Sequence, residues 1–407
     1  MAVGLHDFPL IPEIKGIRIG VAQAGIKKPN KKDVVIFELC EGASVAGVFT
    51  QNAFCAAPVR ICQQHLASTS NSRYLLINTG NANAGTGKSG VVTALKTCEV
   101  LADQTGVNVE AILPFSTGVI GEPLPVDKII AAIPTALVNL SADNWHSAGV
   151  GIMTTDTLPK GSIRTFDFEG KTYSVAGISK GAGMIRPNMA TMLGYVCSDI
   201  AMDVSVLQSI LKDVVNKSFN RITIDSDTST NDSCVAIATG MAGNAKVTTV
   251  DEPLAQAFIV AFTEVMQELA HAIVRDGEGA TKFVTVEVVG AAIQSDATKT
   301  AFEIAHSPLV KTALFASDPN WGRILAVVGR AGVQGLDVDQ VQLYINGFEV
   351  ARNGGRSPDY LEEHGKQAMA PQEIHIVLDL GMGDESDVVW TTDFSHEYVT
   401  INAEYRT

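Results

Sequence analysis

Short runs of apolar and β-branched residues recur along this chain, and segments with helical spacing separate them. Residues 34–40, 74–78 and 283–289 have the composition or the alternation of strands. Residues 253–274 instead carry apolar side chains at steps of three and four, which is the spacing of one helix face. Strands with helices between them predict a mixed α/β or α+β fold. The 407 residues suffice for two or three domains or for one large two-layer unit.

Local patterns predict further elements. Residues 44–50 are predicted to form a hairpin with residues 34–40 across a short Glu-Gly turn, and residues 162–168 with 171–177 around Glu169 and Gly170. Helical spacing covers residues 88–106, 126–140 and 203–215. The last hundred residues are richer in strand-like runs, among them VQLYING, EIHIVLDLG and EYVTINAEY.

Composition excludes several classes of function. With 44 acidic and 30 basic residues the net charge is −14, which disfavours nucleic-acid and anionic-membrane partners. No run of 18 uninterrupted apolar residues suggests a membrane span, and the first twenty residues lack the pattern of a secretory signal. The six cysteines are scattered, with no CxxC pair, which predicts reduced thiols in a cytoplasmic protein.

Familiar catalytic motifs are missing from the sequence. It contains no complete P-loop and no G-x-S-x-G elbow, and no two of its eight histidines have metal-binding spacing, so neither a cofactor nor a metal is predicted. The Gly- and Asn-rich loop TGNANAG follows a predicted buried strand. It is either an ordinary turn or a cradle of backbone N–H groups.

The densest stretch is KGAGMIRPNMATMLGY, residues 180–195. Glycines and Pro187 restrict the backbone before Thr191, and an apolar strand-like run follows it. A hydroxyl at such a junction can attack the preceding carbonyl, that of Ala190, so that an acyl shift and hydrolysis break the chain. The freed α-amine of Thr191, with an ordinary pKa of about 7.7–8.0, can then serve as the base for its own hydroxyl. An ordinary strand threonine is the alternative.

The same stretch resembles the signature of the ornithine acetyltransferase family, also called glutamate N-acetyltransferase or the arginine biosynthesis bifunctional protein. Arg186 is the one departure noticed within it. Seven further segments resemble that family, and they cover most of the chain: INTGNANAGTG, STGVIGEPLP, IMTTDTLPK, SFNRITIDSDTSTND, RDGEGATK, SDPNWGRI and YVTINAEYRT. The resemblance carries no chemistry for SDPNWGRI, which is interpreted as a buried polar scaffold.

The resemblance implies a layered α/β sandwich of the self-cleaving ornithine acetyltransferase and aminopeptidase type. It implies cleavage between Ala190 and Thr191, giving an α chain of residues 1–190 and a β chain of residues 191–407. These chains are expected to stay associated as an α2β2 heterotetramer in the cytoplasm.

The resemblance also implies roles for single residues. Thr191 is the expected nucleophile, and Thr117 and Gly118 are the expected oxyanion hole. The expected substrate contacts are Thr154 (with Thr155 as the alternative), Lys180, Thr191, Glu278, Asn402 and Thr407. The charges of two of these residues complement those of the substrate. Lys180 can pair with a substrate carboxylate, and Glu278 can pair with the side-chain ammonium of ornithine.

The implied reaction is a ping-pong transfer of acetyl from N-acetylornithine to glutamate through acetyl-Thr191. Acetyl-CoA is a second acetyl donor in bifunctional members, and the sequence leaves its use here open. Two alternatives remain: a self-cleaving aminopeptidase of the same architecture, and an amino-acid-binding protein without enzymatic activity.

Overall fold

A computed structural model describes residues 2–186 and 192–405 of the chain. It divides into two compact units. The larger unit comprises Asp7–Asn220 and Asp227–Ile273. The smaller unit comprises Met1–His6, Arg221–Ser226 and Val274–Thr407. The predicted division at residue 190 is a different one: it concerns where the chain is cut, and it stays a prediction.

The larger unit holds the first nine strands and the first six helices of the described chain. The strands are β1 (Ile17–Ala22), β2 (Val34–Leu39), β3 (Ser44–Phe49), β4 (Tyr74–Asn81), β5 (Ile112–Val119), β6 (Lys160–Phe168), β7 (Lys171–Lys180), β8 (Leu193–Ser198) and β9 (Ser233–Ala238). The helices are α1 (Ala57–Ser68), α2 (Gly87–Thr105), α3 (Val126–Val138), α4 (Trp145–Gly151), α5 (Val204–Val215) and α6 (Pro253–Arg275), whose last two residues belong to the smaller unit.

Two sheets form the centre of the larger unit. One has the order β1-β2-β4-β5 and the other β3-β9-β8-β7-β6. Their facing sides share one apolar core, in which Phe37 of the first sheet lies 5.5 Å from Tyr195 of the second, measured between ring centroids. Helices α2 and α3 cover the outer side of the first sheet, and α5 and α6 pack on the second. This arrangement confirms the predicted layered α/β sandwich.

The smaller unit is built on one six-stranded sheet of order β13-β12-β11-β14-β10-β15. Its strands are β10 (Phe283–Ala291), β11 (Gln342–Ile345), β12 (Phe348–Arg352), β13 (Gly355–Arg356), β14 (Glu373–Asp379) and β15 (Glu385–Thr392). Its helices are α7 (Gln294–His306), α8 (Pro308–Phe315), α9 (Trp321–Arg330), α10 (Glu362–Met369) and α11 (His396–Ala403). Side chains from α7 to α10 pack with the sheet in its apolar core.

The structure confirms the predictions that rest on strong local signals. β6 and β7 form the predicted hairpin, and Glu169 and Gly170 both have positive φ, as a tight two-residue turn requires. Helix α6 matches the predicted apolar stripe almost residue for residue. Its length and composition would also suit a membrane span, but 56% of its most apolar window is buried inside the protein.

Two predictions were wrong. β3 does not pair with β2; it pairs antiparallel with β9, in the other sheet. The short turn between β2 and β3 therefore changes sheets, which a local pattern cannot reveal. The run EYVTINAEY was predicted as a strand, but most of it is helix α11. Ser395 caps this helix by accepting from the backbone N–H of Tyr398, so a helix start signal outweighs the β-branched residues.

Candidate active site

The end of β5 holds both residues of the predicted oxyanion hole, and its backbone approaches β4 closely. β5 pairs with β4 in parallel, with Thr117 opposite Thr79 and Gly118 opposite Gly80. Gly118 has φ +134°, and a Cβ added there would lie 2.3 Å from the carbonyl carbon of Gly80. Only glycine fits such a contact, so the close approach of the two strands depends on Gly118.

Thr117 lies beside Lys180. Lys180 is the last residue of β7, and its Nζ donates a hydrogen bond to Oγ1 of Thr117 over 3.3 Å. Both residues are buried. The structure therefore brings together a residue predicted for the oxyanion hole and a residue predicted for substrate binding, and it places a positive charge next to the hydroxyl.

Asp156 organises the surroundings of Lys180. Its Oδ1 accepts from Nζ of Lys160 at 2.6 Å and from the N–H of Gly181 at 2.7 Å, and its Oδ2 accepts from the N–H of Thr154 at 3.0 Å. The Asp156 and Lys160 side chains are completely buried. Burial alone would raise the pKa of Asp156, but the charges of Lys160 and Lys180 hold that pKa well below its usual range. Asp156 therefore stays ionised and ties Thr154 to the end of β7.

A third lysine, Lys31, extends this group of charges. Its Nζ donates to the carbonyl oxygen of Met153 at 2.8 Å, next to Thr154 in the chain. Burial lowers the pKa of Lys31, and the nearby charge of Lys180 lowers it further, while Asp156 partly offsets both. Three lysines thus lie near one fully buried carboxylate, an arrangement that favours binding of an anion.

Asp232 is a buried acid at the start of β9. Its side-chain Oδ2 has no hydrogen-bond partner among residues 2–186 and 192–405. Burial raises the pKa of Asp232 well above its ordinary value, although hydrogen bonds from Ser229 and the charge of Lys180 oppose the shift. Burial of the Asp232 side chain therefore favours its neutral form over the carboxylate.

Glu278 and Asn402 meet in the smaller unit. Asn402 Nδ2 donates to Oε2 of Glu278 at 2.7 Å and to the carbonyl oxygen of Tyr398 at 2.9 Å. Gly279 has φ +68°, and a Cβ there would lie 2.5 Å from Oγ of Ser395, so this loop packs directly on the start of α11. Glu278 is 7% exposed. Two predicted substrate contacts that lie 124 residues apart in sequence are therefore direct neighbours.

Three predicted site residues, Ala190, Thr191 and Thr407, lie outside the described residues. The roles assigned to the other predicted residues also stay predictions, although the structure establishes their contacts. In the part of the chain that the structure describes, no three His, Cys, Asp or Glu side chains cluster as metal ligands would. Four of the six cysteines are buried, and none forms a disulfide.

Some residues around this site were missed or misjudged from the sequence. Asp156 lies in the TTD motif, which is therefore a usable signal, but only the threonines of that motif were predicted to contact substrate. Asp232 ends the segment SFNRITIDSDTSTND, and no role was predicted for it. For SDPNWGRI the buried-scaffold interpretation was wrong for Asp318, which is exposed, while Trp321 packs edge-on against Tyr360.

The structure thus combines two sandwiched sheets with a strand-end threonine beside a buried lysine, at positions that the resemblance to the ornithine acetyltransferase family selects. A sequence model of the ArgJ family matches residues 18–407, and the chain belongs to that family. It is 58% identical to the arginine biosynthesis bifunctional protein ArgJ of Pseudomonas syringae pv. tomato and 56% identical to that of Pseudomonas fluorescens, each over 100% of both chains. A solved structure of the arginine biosynthesis bifunctional protein argJ from Bacillus halodurans is 36% identical, covers 52% of this chain and 99% of its own, and has a TM-score of 0.50.

Proposed function

We propose that this protein is a glutamate N-acetyltransferase of arginine biosynthesis, which moves the acetyl group of N2-acetyl-L-ornithine to L-glutamate. The observation that carries this proposal is the 58% identity, over the complete length of both chains, to a protein named for arginine biosynthesis. The contacts of Thr117, Lys180, Glu278 and Asn402 support it, since they pair residues that the family resemblance selects independently.

The reaction proceeds in two halves. The Thr191 hydroxyl attacks the acetyl carbonyl of N-acetylornithine while the α-amine of Thr191 takes the proton. Thr117 and Gly118 stabilise the tetrahedral oxyanion, and ornithine leaves with the proton that the amine returns. The amine of glutamate then attacks the acetyl ester, which releases N-acetylglutamate and restores the free hydroxyl.

The hydrogen bond between Lys180 and Thr117 supports the oxyanion role. An ammonium group donates and cannot accept, so Oγ1 of Thr117 is the acceptor. The hydrogen of that hydroxyl is then left to donate to the oxyanion, and the positive charge nearby strengthens the donation.

Charge also supports the choice of substrate. The lysine-rich surroundings of Asp156 suit the carboxylate of an acetylated amino acid. Glu278 offers a carboxylate to the side-chain ammonium of ornithine, and its contact with Asn402 orients it.

The further parts of the proposal concern the mature protein. It cleaves itself between Ala190 and Thr191, its α and β chains assemble as an α2β2 heterotetramer, and it works in the cytoplasm without a metal or a cofactor. Acetyl-CoA serves as a co-substrate if the protein shares the bifunctional character in its relatives' names.

A transfer assay tests this function. The protein is incubated with N-acetylornithine carrying a radiolabelled acetyl group and with glutamate, and the label is followed into N-acetylglutamate. Transfer of the label supports the proposal. Release of free acetate alone would contradict the proposal, and hydrolysis of peptides without any transfer would replace it with the aminopeptidase alternative. A parallel reaction with acetyl-CoA and glutamate measures the second activity separately.

A further inference from the structure

Asn231 connects the oxyanion segment near the end of β5 to the loop that follows β4. Its Nδ2 donates to the carbonyl oxygens of Ala82 and Ser116 at 2.6 and 2.9 Å, and it lies 2.9 Å from Oγ of Ser116. The Ser116 hydroxyl itself donates to the carbonyl oxygen of Ala82 at 2.6 Å. These groups form a closed and buried set of hydrogen bonds immediately before Thr117.

The orientation of the Asn231 amide is fixed. The carbonyl oxygens of Ala82 and Ser116 can only accept, so the amide atom that faces them is the donor Nδ2, and Oδ1 accepts from the Thr230 hydroxyl at 2.7 Å. Since a peptide unit is planar, a fixed carbonyl of Ser116 also fixes the direction of the N–H of Thr117. Asn231 thus controls the backbone that leads into Thr117 and Gly118.

The same short segment also touches the strand that begins after the predicted nucleophile. The N–H of Ser233 donates to the carbonyl oxygen of Met192 at 2.9 Å, and Met192 directly follows Thr191 in the chain. From there β8 and β9 run in parallel, with Leu193 opposite Ser233. Residues 231–233 span only about 7 Å along a strand. One short segment is therefore hydrogen-bonded both to Ser116, beside the predicted oxyanion hole, and to Met192, beside the predicted nucleophile.

We propose that Asn231 is a positioning residue, which holds the oxyanion segment (residues 116–118 of β5) at a fixed place relative to the strand that follows Thr191. This inference rests on the proposed function. Asn231 need not touch the substrate, because it acts through the peptide between Ser116 and Thr117. Loss of its amide would let that peptide rotate, so the oxyanion donors would miss the place where charge develops.

Kinetics of an Asn231→Ala variant test this role against a matched control. Asn144 also uses its Nδ2 to hold two backbone carbonyls, those of Ile19 and Asn139, each at 2.8 Å, but it touches neither residues 116–118 nor residues 231–233. We expect Asn231→Ala to lower kcat by about tenfold to a hundredfold with KM changed less than about twofold. Asn144→Ala should leave kcat within about twofold. Rates are divided by the cleaved fraction seen on a denaturing gel, so that incomplete self-cleavage is not counted as slow transfer.

A double variant separates positioning from general damage. If Asn231 acts through the oxyanion segment, Asn231→Ala should slow the Thr117→Ala variant by a much smaller factor than it slows the unaltered protein. If the two losses multiply instead, the inference is wrong. Should Asn231→Ala fail to fold, Thr230→Val removes only the hydroxyl that orients the amide, and a lower kcat at unchanged KM is expected again. An unchanged kcat in Thr230→Val would then overturn the inference.

The two proposals fail in different ways. If the unaltered protein transfers no acetyl group from N-acetylornithine, the proposed function is wrong. If it does transfer acetyl and Asn231→Ala behaves like Asn144→Ala, only the role of Asn231 is wrong.

Discussion

Each unit of this protein buries one lysine completely, but the two lysines are compensated differently. Lys160 in the larger unit contacts the carboxylate of Asp156 at 2.6 Å. Lys311 in the smaller unit donates to the hydroxyl of Thr391 at 2.9 Å and to the carbonyl oxygen of Thr392, which are neutral acceptors. Burial therefore lowers the pKa of Lys311 to about 7, although the charges of Asp393 and Asp225 partly oppose this shift.

The two sites differ in whether their charges depend on pH. Around Lys160 the ammonium and carboxylate groups stabilise each other, and they lie beside two residues predicted to bind substrate, Thr154 and Lys180. Lys311 has no carboxylate in direct contact among the described residues, so its charge depends on pH. The larger unit thus offers a permanent electrostatic environment, whereas the smaller unit contains a group that titrates near neutrality.

The largest expected effect comes from removing the carboxylate at the first site. Asp156→Ala removes the carboxylate that contacts the buried ammonium of Lys160 at 2.6 Å and that accepts from the backbone N–H groups of Thr154 and Gly181. We expect the free energy of unfolding to fall by about 3–5 kcal/mol, measured by urea denaturation. The control is Glu99→Ala, which breaks the exposed ion pair with Lys96 and should cost less than about 1 kcal/mol. Equal losses in the two variants would show that Asp156 is not compensating a buried charge.

The two lysines should also respond differently to the same substitution. Lys160→Met leaves the buried carboxylate of Asp156 without its closest cation, which we expect to cost about 3 kcal/mol in the free energy of unfolding. The groups that Lys311 contacts directly are neutral oxygens, and Lys311→Met also removes a buried ammonium. We therefore expect the free energy of unfolding to fall by less than half as much as in Lys160→Met. Urea denaturation of both variants at pH 7 measures these changes in the free energy of unfolding. A larger decrease in Lys311→Met than in Lys160→Met would contradict the expected order.

The smallest expected effect, counted per pH unit, is a pH dependence that belongs to Lys311. Its pKa of about 7 in the folded protein lies below the ordinary value of 10.5. Between these values the unfolded chain binds more protons than the folded one, so stability rises with pH through this window, by at most about 1.4 kcal/mol per pH unit. Lys311→Met should flatten this rise between pH 7 and 9, whereas Lys299→Met, at an exposed position, should keep it. An unchanged slope in Lys311→Met would assign the rise to other groups.

The structure confirms the sequence predictions that depend only on residues within about twenty positions of one another. The stripe of α6 and the turn at Glu169 and Gly170 are local, because spacing and backbone preference decide them. The partner of β3 was wrong because β9, its true partner, follows some 190 residues later in the chain. The strand predicted over residues 397–405 was wrong because Ser395, which caps the start of helix α11, lies outside those residues.

The candidate site shows the same limit. A family resemblance could name Thr117 and Lys180, and the structure adds that they share a hydrogen bond. It could not single out Asn231, because the acceptors of its amide lie far away in sequence, Ala82 after β4 and Ser116 in β5. Motifs point to side chains of unusual chemistry, whereas a positioning residue is recognised by its contacts, which exist only in the folded chain.

Mass spectrometry of the trapped acetyl-enzyme tests the central claim most directly. The protein is mixed with N-acetylornithine in the absence of glutamate, denatured in acid and digested, and the acetylated residue is identified. We expect a chain that begins at Thr191 and carries one acetyl ester on the hydroxyl of that residue. This ester should be absent when glutamate is added first. An intact chain of 407 residues, or an acetyl group on any other side chain, would contradict it.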